Sequence, residues 1–393
     1  MPTQYTLGVP MDSPMPARIA VVHDWLLDFA GSERVLAEIL RCFPQADLFA
    51  LVDHMRDDDR ALLGGKHATT TFLQAMPGVA SRLRYYLPLM PFAIEQLDVT
   101  GYDLVISSSH AVAKGVIVSP DALHVSYVYS PMRYAWDLQF TYLREERLHG
   151  LRGFALRWLL HRLRLWDHRS AAGVDRFVAD SRFVARRILK AYRREADVIY
   201  PSVDTDFFCP GGAREDYYVT VSRLIGYKRI DLLVDAFAQL PNQRLVVVGD
   251  GPQLARLKAA APANVVFSGF LPADALRDRI RRARAFLFAS VEDFGMAPVE
   301  AMACGTPVIA LRRGGAAESV IGLESVEPTG VFFEEQSVAA VVSAIRTFEE
   351  HRQEISPAAC RSRAEQFSAA RFRKEFTDLV ADAWARWRQA RGR

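Results

Sequence analysis

The strongest constraint on the fold is the alternation of short apolar runs with longer segments of helical periodicity. Runs rich in Val, Ile, Leu and Phe, bounded by polar residues or glycine, predict buried strands. Strand followed by helix, repeated along a chain, predicts parallel sheets with helices on both faces. The predicted strands are 18–22, 102–109, 124–130, 176–180, 217–222, 244–250, 264–269, 285–290 and 306–311. The predicted helices are 32–42, 181–193, 229–240, 252–260, 272–283 and 297–303.

This number of strands in a chain of 393 residues indicates two sheets, and hence two doubly wound, Rossmann-like α/β domains. The boundary is predicted in the proline- and glycine-rich segment 196–212, after which a new strand–helix series begins. The predicted parts are a flexible N-terminal arm (1–16), an N-terminal domain (17–196), a C-terminal domain (197–368) and a C-terminal helix (369–393) that packs back on the N-terminal domain.

Composition and net charge exclude several classes of function. The net charge of +3 is too small to indicate a nucleic-acid partner. The four cysteines are widely spaced, which predicts neither a zinc site nor a disulfide framework, so we expect reduced thiols and a cytoplasmic setting. The N-terminal arm lacks the pattern of a signal peptide. The sequence contains no uncharged apolar stretch long enough to predict a membrane-spanning helix.

If two doubly wound domains face each other across a cleft, ligands bind there, beside the carboxyl ends of the strands. One loop in such a position follows the strand 285–290 and carries Glu292, Phe294 and Gly295. A helix predicted to start near Met296 would direct its free N–H groups at an anion such as a phosphate. Glu292 before this helix end and Glu300 one turn inside it are suited to sugar hydroxyls. The alternative is a helix capped by acidic residues.

Other strand ends carry further candidates. Arg223 and Lys228 follow the strand 217–222 and are suited to a diphosphate, although they also fit a solvated basic face. Gly31 permits close approach of the backbone, and Ser32 is a plausible N-cap, so a second helix end can face the same ligand. His110 lies at the end of the strand 102–109, where a lone histidine is more often structural than catalytic.

Some familiar patterns are absent or misplaced. The D-x-D of 204–206 lies in the predicted connector, where a turn is the better interpretation than a metal site. The run from Gly249 to Pro252 lacks the third glycine of a dinucleotide fingerprint, which disfavours an NAD-dependent oxidoreductase. No nucleoside-triphosphate loop of the G-x-x-x-x-G-K-[ST] type is present.

Taken together, these blocks resemble the GT4-type retaining glycosyltransferases of the GT-B fold, from about Arg18 to the end of the chain. The most specific mark is E-x7-E, from Glu292 to Glu300, in "SVEDFGMAPVEAMACGTPVIA". The blocks "YVTVSRLIGYKRIDLLVDAF", "VVVGDGP" and "IYPSVDTDFF" match as well. The resemblance implies that the N-terminal domain binds the acceptor and the C-terminal domain binds a nucleotide sugar.

The resemblance also implies a role for each candidate residue. Arg223 and Lys228 resemble the pair that holds the donor diphosphate, and Glu300 resembles the residue that holds the ribose. Donor contacts are implied for the loop after the strand 285–290 and for the loop at Gly31 in the N-terminal domain. His110 resembles the histidine that meets the transferred sugar. The remaining implied contacts are Glu292, Phe294, Gly295 and Met296 for the sugar, Gly31 and Ser32 for the donor, and Asp28 for the acceptor.

The N-terminal half is similar to one branch of that family. "YDLVISSSHAVAKGV" and "YSPMRYAWDLQFTYLREE" resemble bacterial mannosyltransferases that build O-antigen or exopolysaccharide repeats from GDP-mannose. Tyr129 stands where such relatives often carry histidine. The resemblance implies GDP-mannose as donor, a polyprenyl-diphosphate-linked or other saccharide as acceptor, and transfer without a metal or other cofactor. A UDP-sugar donor, an epimerase or phosphorylase of the same fold, and a non-catalytic nucleotide-sugar-binding protein remain alternatives.

One segment indicates a membrane surface. Residues 144–194 hold fourteen Arg and Lys against five Asp and Glu, interleaved with Leu, Phe and Trp. Basic side chains with interfacial aromatics predict reversible attachment to anionic lipid. We therefore expect a cytoplasmic protein that lies peripherally on the inner face of the membrane. The alternative is a core-packed helix over 154–166 with a solvated basic face.

Overall fold

The computed structural model describes residues 15–145 and 150–392. The described residues form two compact units, and the main part of the second begins at Tyr200, where the sequence predicted residue 197. The first unit contains the chain up to Asp180, Val184–Ile199 and the residues from Arg373 onward, and the second contains Ser181–Phe183 and Tyr200–Phe372. The predicted N-terminal arm, 1–16, lies outside the described residues except for its last two positions.

The first unit is built on a seven-stranded parallel sheet with the order β3-β2-β1-β4-β5-β6-β7. Its strands are β1 (Ile19–His23), β2 (Asp47–Ala50), β3 (Thr69–Thr70), β4 (Leu104–Ser109), β5 (Leu123–Val128), β6 (Arg176–Ala179) and β7 (Asp197–Val198). The chain first winds outward from β1 to β3 and then returns to place β4 beside β1. Doubly wound sheets bind ligands beside the strand ends at such a reversal.

Helices connect these strands because their apolar residues recur at helical spacing and cover the sheet. The helices of this part of the chain are α1 (Gly31–Cys42), α2 (Asp57–Arg60), α3 (Val79–Arg82), α4 (Met90–Ile94), α5 (Gln139–Glu145), α6 (Gly150–Ser170) and α7 (Arg182–Tyr192). A buried carboxylate anchors α6: Asp167 pairs with the Lys114 ammonium and accepts hydrogen bonds from Trp136 Nε1 at 2.7 Å and the Tyr192 hydroxyl at 2.8 Å.

The second unit is built on a six-stranded parallel sheet with the order β10-β9-β8-β11-β12-β13. Its strands are β8 (Tyr218–Val221), β9 (Leu245–Val248), β10 (Val265–Gly269), β11 (Ala285–Phe288), β12 (Val308–Leu311) and β13 (Gly330–Phe333). The helices that follow β8 are α8 (Ile230–Ala238), α9 (Leu254–Ala260), α10 (Ala273–Arg282), α11 (Met296–Ala303), α12 (Ala316–Ser319), α13 (Val338–His351), α14 (Pro357–Glu365) and α15 (Ala369–Ala390). The order reverses between β8 and β11.

The last helix completes the core of the first unit. Phe376 on α15 is fully buried, and its ring centroid lies 6.2 Å from that of Phe43 and 6.1 Å from that of Tyr127. Arg373 Nη1 donates a hydrogen bond to Glu38 Oε2 at 2.7 Å. The end of the chain therefore contributes both apolar surface and an ion pair to a unit whose other elements all precede Tyr200.

The α/β class with two Rossmann-like sheets is confirmed, and each strand predicted from an apolar run is present. Four strands were missed: β2, β3, β7 and β13. The strands β3 and β7 have only two residues each, too few for a hydrophobic pattern. The strands β2 and β13 are four residues long and adjoin charged or turn residues, so their period of two is hard to recognise.

Candidate functional site

The reversal between β8 and β11 brings together two predicted site residues that are far apart in the sequence. Lys228 lies on the loop after β8 and Glu292 on the loop after β11, and their side chains form an ion pair. Both side chains keep partial access to solvent, with 17% of Lys228 and 20% of Glu292 exposed. The Ser290 hydroxyl donates a hydrogen bond to Glu292 Oε1 at 2.8 Å. The pair is therefore fixed in place but still reachable by a ligand.

The helix end beside this pair has the predicted form. Gly295 adopts φ 82°, a left-handed conformation that favours glycine, and α11 begins at Met296. Pro298 in the first turn costs no hydrogen bond, because the first N–H groups of a helix have no partner inside it. Phe294 is buried, Met296 is half-buried, and Glu300 is 6% exposed one turn inside the helix.

Arg223 occupies the same loop as Lys228. Its side chain is exposed, whereas the next residue, Leu224, is fully buried. The Leu224 backbone ties this loop to the one after β9, since its N–H donates to the carbonyl of Asp250 at 2.8 Å and its carbonyl accepts from the N–H of Gln253 at 3.1 Å. Arg223 is thus an exposed cation on a loop that is held by backbone hydrogen bonds.

Sequence reasoning missed a glycine pair that supports the Glu292 loop. Gly314 and Gly315 follow β12, and the Gly315 N–H donates to the carbonyl of Glu292 at 3.0 Å. A Cβ at Gly315 would lie 2.3 Å from both Cα and the carbonyl oxygen of Phe294, closer than any real contact. Only glycine permits this approach of two backbones. Two adjacent glycines, separated from a buried strand only by two arginines, were the available signal.

Phe270 was also missed. It follows β10 and is 82% exposed, a rare state for a phenylalanine in a folded chain. The preceding Gly269 carbonyl accepts a hydrogen bond from the Gly249 N–H at 2.8 Å, so Phe270 stands at the carboxyl edge of the sheet beside the loop after β9. An exposed ring there offers a flat apolar surface to a planar ligand.

A second cluster lies at the reversal between β1 and β4 of the first unit. The His23 ring bonds Ser108 Oγ at 3.0 Å through Nδ1 and Glu33 Oε1 at 3.3 Å through Nε2. The Tyr129 hydroxyl bonds the same Ser108 Oγ at 2.8 Å and donates to the Ser32 carbonyl at 2.9 Å. This network fixes the start of α1 relative to the ends of β1, β4 and β5.

His110 lies at the edge of that network, on the loop after β4, with 27% of its side chain exposed. Its Nδ1 is 3.0 Å from Oδ2 of the fully buried Asp24, without the alignment of a hydrogen bond. Asp24 directly follows β1 and had not been singled out in the sequence. Its carboxylate accepts four backbone N–H bonds, from the residues His110, Ala111, Val112 and Ala113, at 2.6, 2.9, 2.5 and 2.7 Å.

In this cluster, nearby charges and hydrogen bonds shift pKa values in the direction opposite to the effect of burial. Burial alone would raise the pKa of Asp24, but the nearby histidines and the backbone N–H groups hold that pKa below its ordinary value. Glu33 behaves in the same way: burial would raise its pKa, but the hydrogen bond to His23 and the charges of His23 and His110 together lower it. Burial lowers the pKa of His110, although the Asp24 charge opposes this shift. The cluster therefore keeps its carboxylates ionised and disfavours a charged His110.

The predictions for α1 are met only in part. Gly31 begins the helix as its first residue, and the prediction of Ser32 as N-cap is wrong. Ala30 is the N-cap residue and has no side-chain acceptor for the N–H groups of the first turn. Glu33 Oε2 accepts the Ala30 N–H at 3.0 Å, which is the reciprocal half of a capping box. Ser32 contributes its carbonyl to Tyr129, and the predicted acceptor residue Asp28 is exposed on the preceding loop.

Two further observations concern metals and membranes. Among residues 15–145 and 150–392, no group of three or more His, Cys, Asp or Glu side chains is arranged to hold a metal ion. Asp204, the first carboxylate of the D-x-D, accepts the Phe207 N–H at 2.9 Å and so closes a turn. Over the same described ranges, no helix has the length and apolar character needed to cross a bilayer.

Comparison with known families identifies the part of the chain that holds the Lys228–Glu292 pair. Residues 211–367 match the model of the family described as Glycosyl transferases group 1. This segment is therefore similar to group 1 glycosyltransferases. It includes Arg223, Lys228, Glu292, Glu300 and the α11 end, so each predicted C-terminal donor contact lies within the match.

Curated relatives match part of the chain. A D-inositol 3-phosphate glycosyltransferase of Mycobacterium sp. (strain KMS) is 34% identical over 169 residues, which cover 36% of this chain and 38% of the relative. A GDP-mannose-dependent alpha-(1-6)-phosphatidylinositol monomannoside mannosyltransferase of Mycolicibacterium smegmatis is 32% identical over 196 residues, covering 42% of this chain and 50% of the relative. The chain thus spans half or less of the length of these relatives.

Likeness to solved structures extends beyond the segment that matches the family model. The crystal structure of Anabaena Alr3699/HepE in complex with UDP superposes with a TM-score of 0.67 at 19% identity, covering 93% of this chain and 100% of that one. At this identity the likeness establishes the fold alone. The GT-B fold predicted from the sequence is confirmed.

Proposed function

We propose that the protein is a retaining glycosyltransferase that moves a hexose, mannose from GDP-mannose, to a lipid-linked saccharide acceptor in surface polysaccharide synthesis. The observation that carries the proposal is the Lys228–Glu292 pair beside the α11 helix end, inside the segment that is similar to group 1 glycosyltransferases. A cation, a carboxylate and free N–H groups at one strand reversal suit the diphosphate and hydroxyls of a nucleotide sugar.

In this proposal the nucleotide diphosphate is both the leaving group and the group that takes the acceptor proton. Lys228, the exposed Arg223 and the α11 N–H groups stabilise the negative charge that grows on the diphosphate as the sugar bond breaks. Glu292 orients the sugar hydroxyls, and Glu300 holds the ribose. His110 on the first unit meets the transferred sugar, and Asp28, Gly31 and Ser32 complete the acceptor and donor contacts. These cationic groups can neutralise the diphosphate without a divalent metal, so we expect activity to persist in EDTA.

GDP-mannose is preferred because the mannosyltransferase of Mycolicibacterium smegmatis, named as GDP-mannose-dependent, aligns over 42% of the chain. A UDP-sugar is the second candidate, favoured by the UDP complex of the Anabaena protein of the same fold. The exposed Phe270 ring is proposed to stack on the base, which fits both nucleotides. Calorimetry with GDP, UDP and ADP distinguishes the candidates, and tighter binding of UDP would refute the GDP assignment.

The enzymatic part of the proposal has its own test. The purified protein is incubated with a panel of sugar nucleotides, and slow hydrolysis is measured as release of nucleoside diphosphate. GDP-mannose hydrolysis should exceed that of UDP-glucose and ADP-glucose and be lost in Lys228→Ala. Tight GDP binding without hydrolysis or transfer under any condition would instead favour a non-catalytic nucleotide-sugar-binding protein.

The acceptor is proposed to be presented by a membrane, because one face of α6 is exposed and apolar. Leu151, Phe154, Trp158 and Leu165 are 88%, 68%, 58% and 53% exposed and recur at helical spacing. On the opposite face Leu160 and Leu163 are buried, so the core-packed interpretation describes that face, and the proposed membrane contact concerns only the exposed one.

Basic side chains accompany the exposed face. Arg157 is exposed, and the Arg162 guanidinium lies 5.8 Å from the Trp158 ring centroid. Arg164 is excluded from this surface, because its Nη1 donates to the Ala135 carbonyl at 2.7 Å. Each basic residue near anionic lipid is worth about 1 kcal/mol, so a few of them with inserted aromatics give reversible attachment.

Liposome co-sedimentation tests this part. Binding should require anionic lipid and weaken as salt rises, because screening shortens the reach of the charges. Charge reversal at Arg157 and Arg162 should weaken binding, whereas reversal at the exposed Arg256 and Arg346 of the second unit serves as the control. Equal, weak binding to neutral and anionic vesicles at low salt would indicate an acceptor that is not membrane-bound.

A further inference from the structure

The Asp24 carboxylate accepts more hydrogen bonds than capping a loop requires. Its carboxylate is fully buried, and each of its two oxygens accepts two backbone N–H groups of the loop from His110 to Ala113. The strand β1 presents this carboxylate to the loop after β4 only because the two strands are neighbours in the sheet. One side chain thereby fixes the whole backbone segment that carries His110.

The same carboxylate also faces the His110 ring. Asp24 Oδ2 lies 3.0 Å from His110 Nδ1 on one side, and the Trp25 ring meets His110 edge-on at a centroid distance of 4.5 Å and an interplanar angle of 86°. The His110 ring therefore lies between the Asp24 carboxylate and the Trp25 ring. The other titratable or charged groups around His110 are His23, Glu33, Tyr129 and Arg133.

We propose that Asp24 is the positioning residue of His110: it holds the loop backbone through four hydrogen bonds and keeps the imidazole oriented by its charge at Nδ1, so that Nε2 is left to face the sugar. The role of His110 at the sugar rests on the proposed function. The role of Asp24 toward His110 rests on the geometry of the first unit alone, and the two are tested separately.

The test compares Asp24→Asn with Ser109→Ala. The asparagine keeps the size of the side chain but removes the charge and replaces one acceptor oxygen by a donor. Ser109→Ala removes a hydrogen bond from the same loop, since Ser109 Oγ accepts the Lys114 N–H at 3.3 Å, without touching His110. Because the Asp24 charge raises the pKa of His110 against the effect of burial, its loss should lower that pKa further.

NMR titration of the His110 ring measures this directly. The His110 pKa should fall in Asp24→Asn and stay unchanged in Ser109→Ala. In donor hydrolysis, kcat should fall about 10- to 100-fold in Asp24→Asn, the loss seen when a group that orients a metal-bound histidine is removed. KM for the nucleotide sugar should stay within about twofold, because the proposed contacts to the base and the ribose lie on the second unit. In a His110→Ala background, Asp24→Asn should cost little more.

An unchanged His110 titration in Asp24→Asn overturns the proposal, and so does an equal loss of kcat with and without His110. If Asp24→Asn does not fold, hydrogen exchange in the wild-type protein decides instead. The amides of residues 110–113 should be strongly protected by their bonds to a buried carboxylate, and fast exchange would contradict the proposal. If no sugar nucleotide is turned over by the wild type, the proposed function fails while the titration still tests Asp24.

Discussion

His124 on β5 allows a quantitative prediction of how stability depends on pH. The ring is 1% exposed and held as a neutral imidazole: one nitrogen bonds the Gly173 carbonyl at 3.1 Å and the other bonds Ser107 Oγ at 2.9 Å. Burial lowers the pKa of His124 from 6.5 to about 4. Protonation in the folded state would therefore place a charge inside the sheet with no carboxylate bonded to the ring.

The sign follows from proton linkage. Between pH 6.5 and 4 the unfolded chain binds a proton at His124 and the folded chain does not, so the free energy of unfolding falls as pH falls through this window. Each pKa unit is worth about 1.4 kcal/mol, which gives a full loss of about 3 kcal/mol near pH 4 and about 2 kcal/mol at pH 5. Above pH 7 the contribution is complete.

Urea unfolding of wild type and His124→Gln between pH 5 and 8 isolates this residue, because titration of the other groups is common to both proteins. The stability advantage of the wild type should shrink by about 2 kcal/mol between pH 7 and 5. His351→Gln is the matched control, since His351 is 43% side-chain exposed. Parallel pH curves for wild type and His124→Gln would refute the assignment of a neutral, acid-sensitive histidine in the sheet.

Three predictions concern the second unit. Lys228→Ala should weaken nucleotide binding strongly in calorimetry, whereas Glu292→Ala should reduce turnover more than binding, because the proposed function places the cation at the diphosphate in every state and the carboxylate at the sugar; equal losses of affinity would contradict these proposed roles. Gly315→Ala should lower the free energy of unfolding by about 1–3 kcal/mol through its clash with the Phe294 backbone, while Gly173→Ala, whose Cβ would meet nothing within 4 Å, should change it by less than about 0.5 kcal/mol in urea unfolding. Phe270→Ala should weaken GDP or UDP binding by about 1–3 kcal/mol with Phe270→Leu intermediate and thermal stability unchanged; full affinity in Phe270→Ala would exclude base stacking on this ring.

Most of the fold could be predicted from the sequence, because the central strands of parallel sheets are buried on both faces and therefore appear in the sequence as continuous apolar runs. The sequence also identified Lys228 and Glu292 as site candidates, since each follows such a run. The ion pair between them could not be predicted from the sequence. The two residues are 64 positions apart, and their contact depends on a strand order that places β8 beside β11.

The missed residues share a physical reason. Asp24 is one of many aspartates that follow a strand, and nothing local marks it as the acceptor for a loop 86 to 89 residues away. Phe270 reads as a core residue by type, and only its exposure indicates another use. The prediction of Ser32 as N-cap is wrong because local propensity favours a hydroxyl at a helix start, whereas the N-cap here is Ala30, whose N–H is accepted by Glu33 from inside the helix.

The backbone contact between Gly315 and Phe294 has a consequence for exchanging loops between proteins of this fold. Because the two loops touch through main-chain atoms, their fit depends on the backbone path of both loops, and no single side chain can be trimmed or enlarged to adjust it. A loop from another protein that replaces residues 289–295 will fit only if the segment after β12 is transplanted with it. The unit of exchange is thus a matched pair of loops from neighbouring strands.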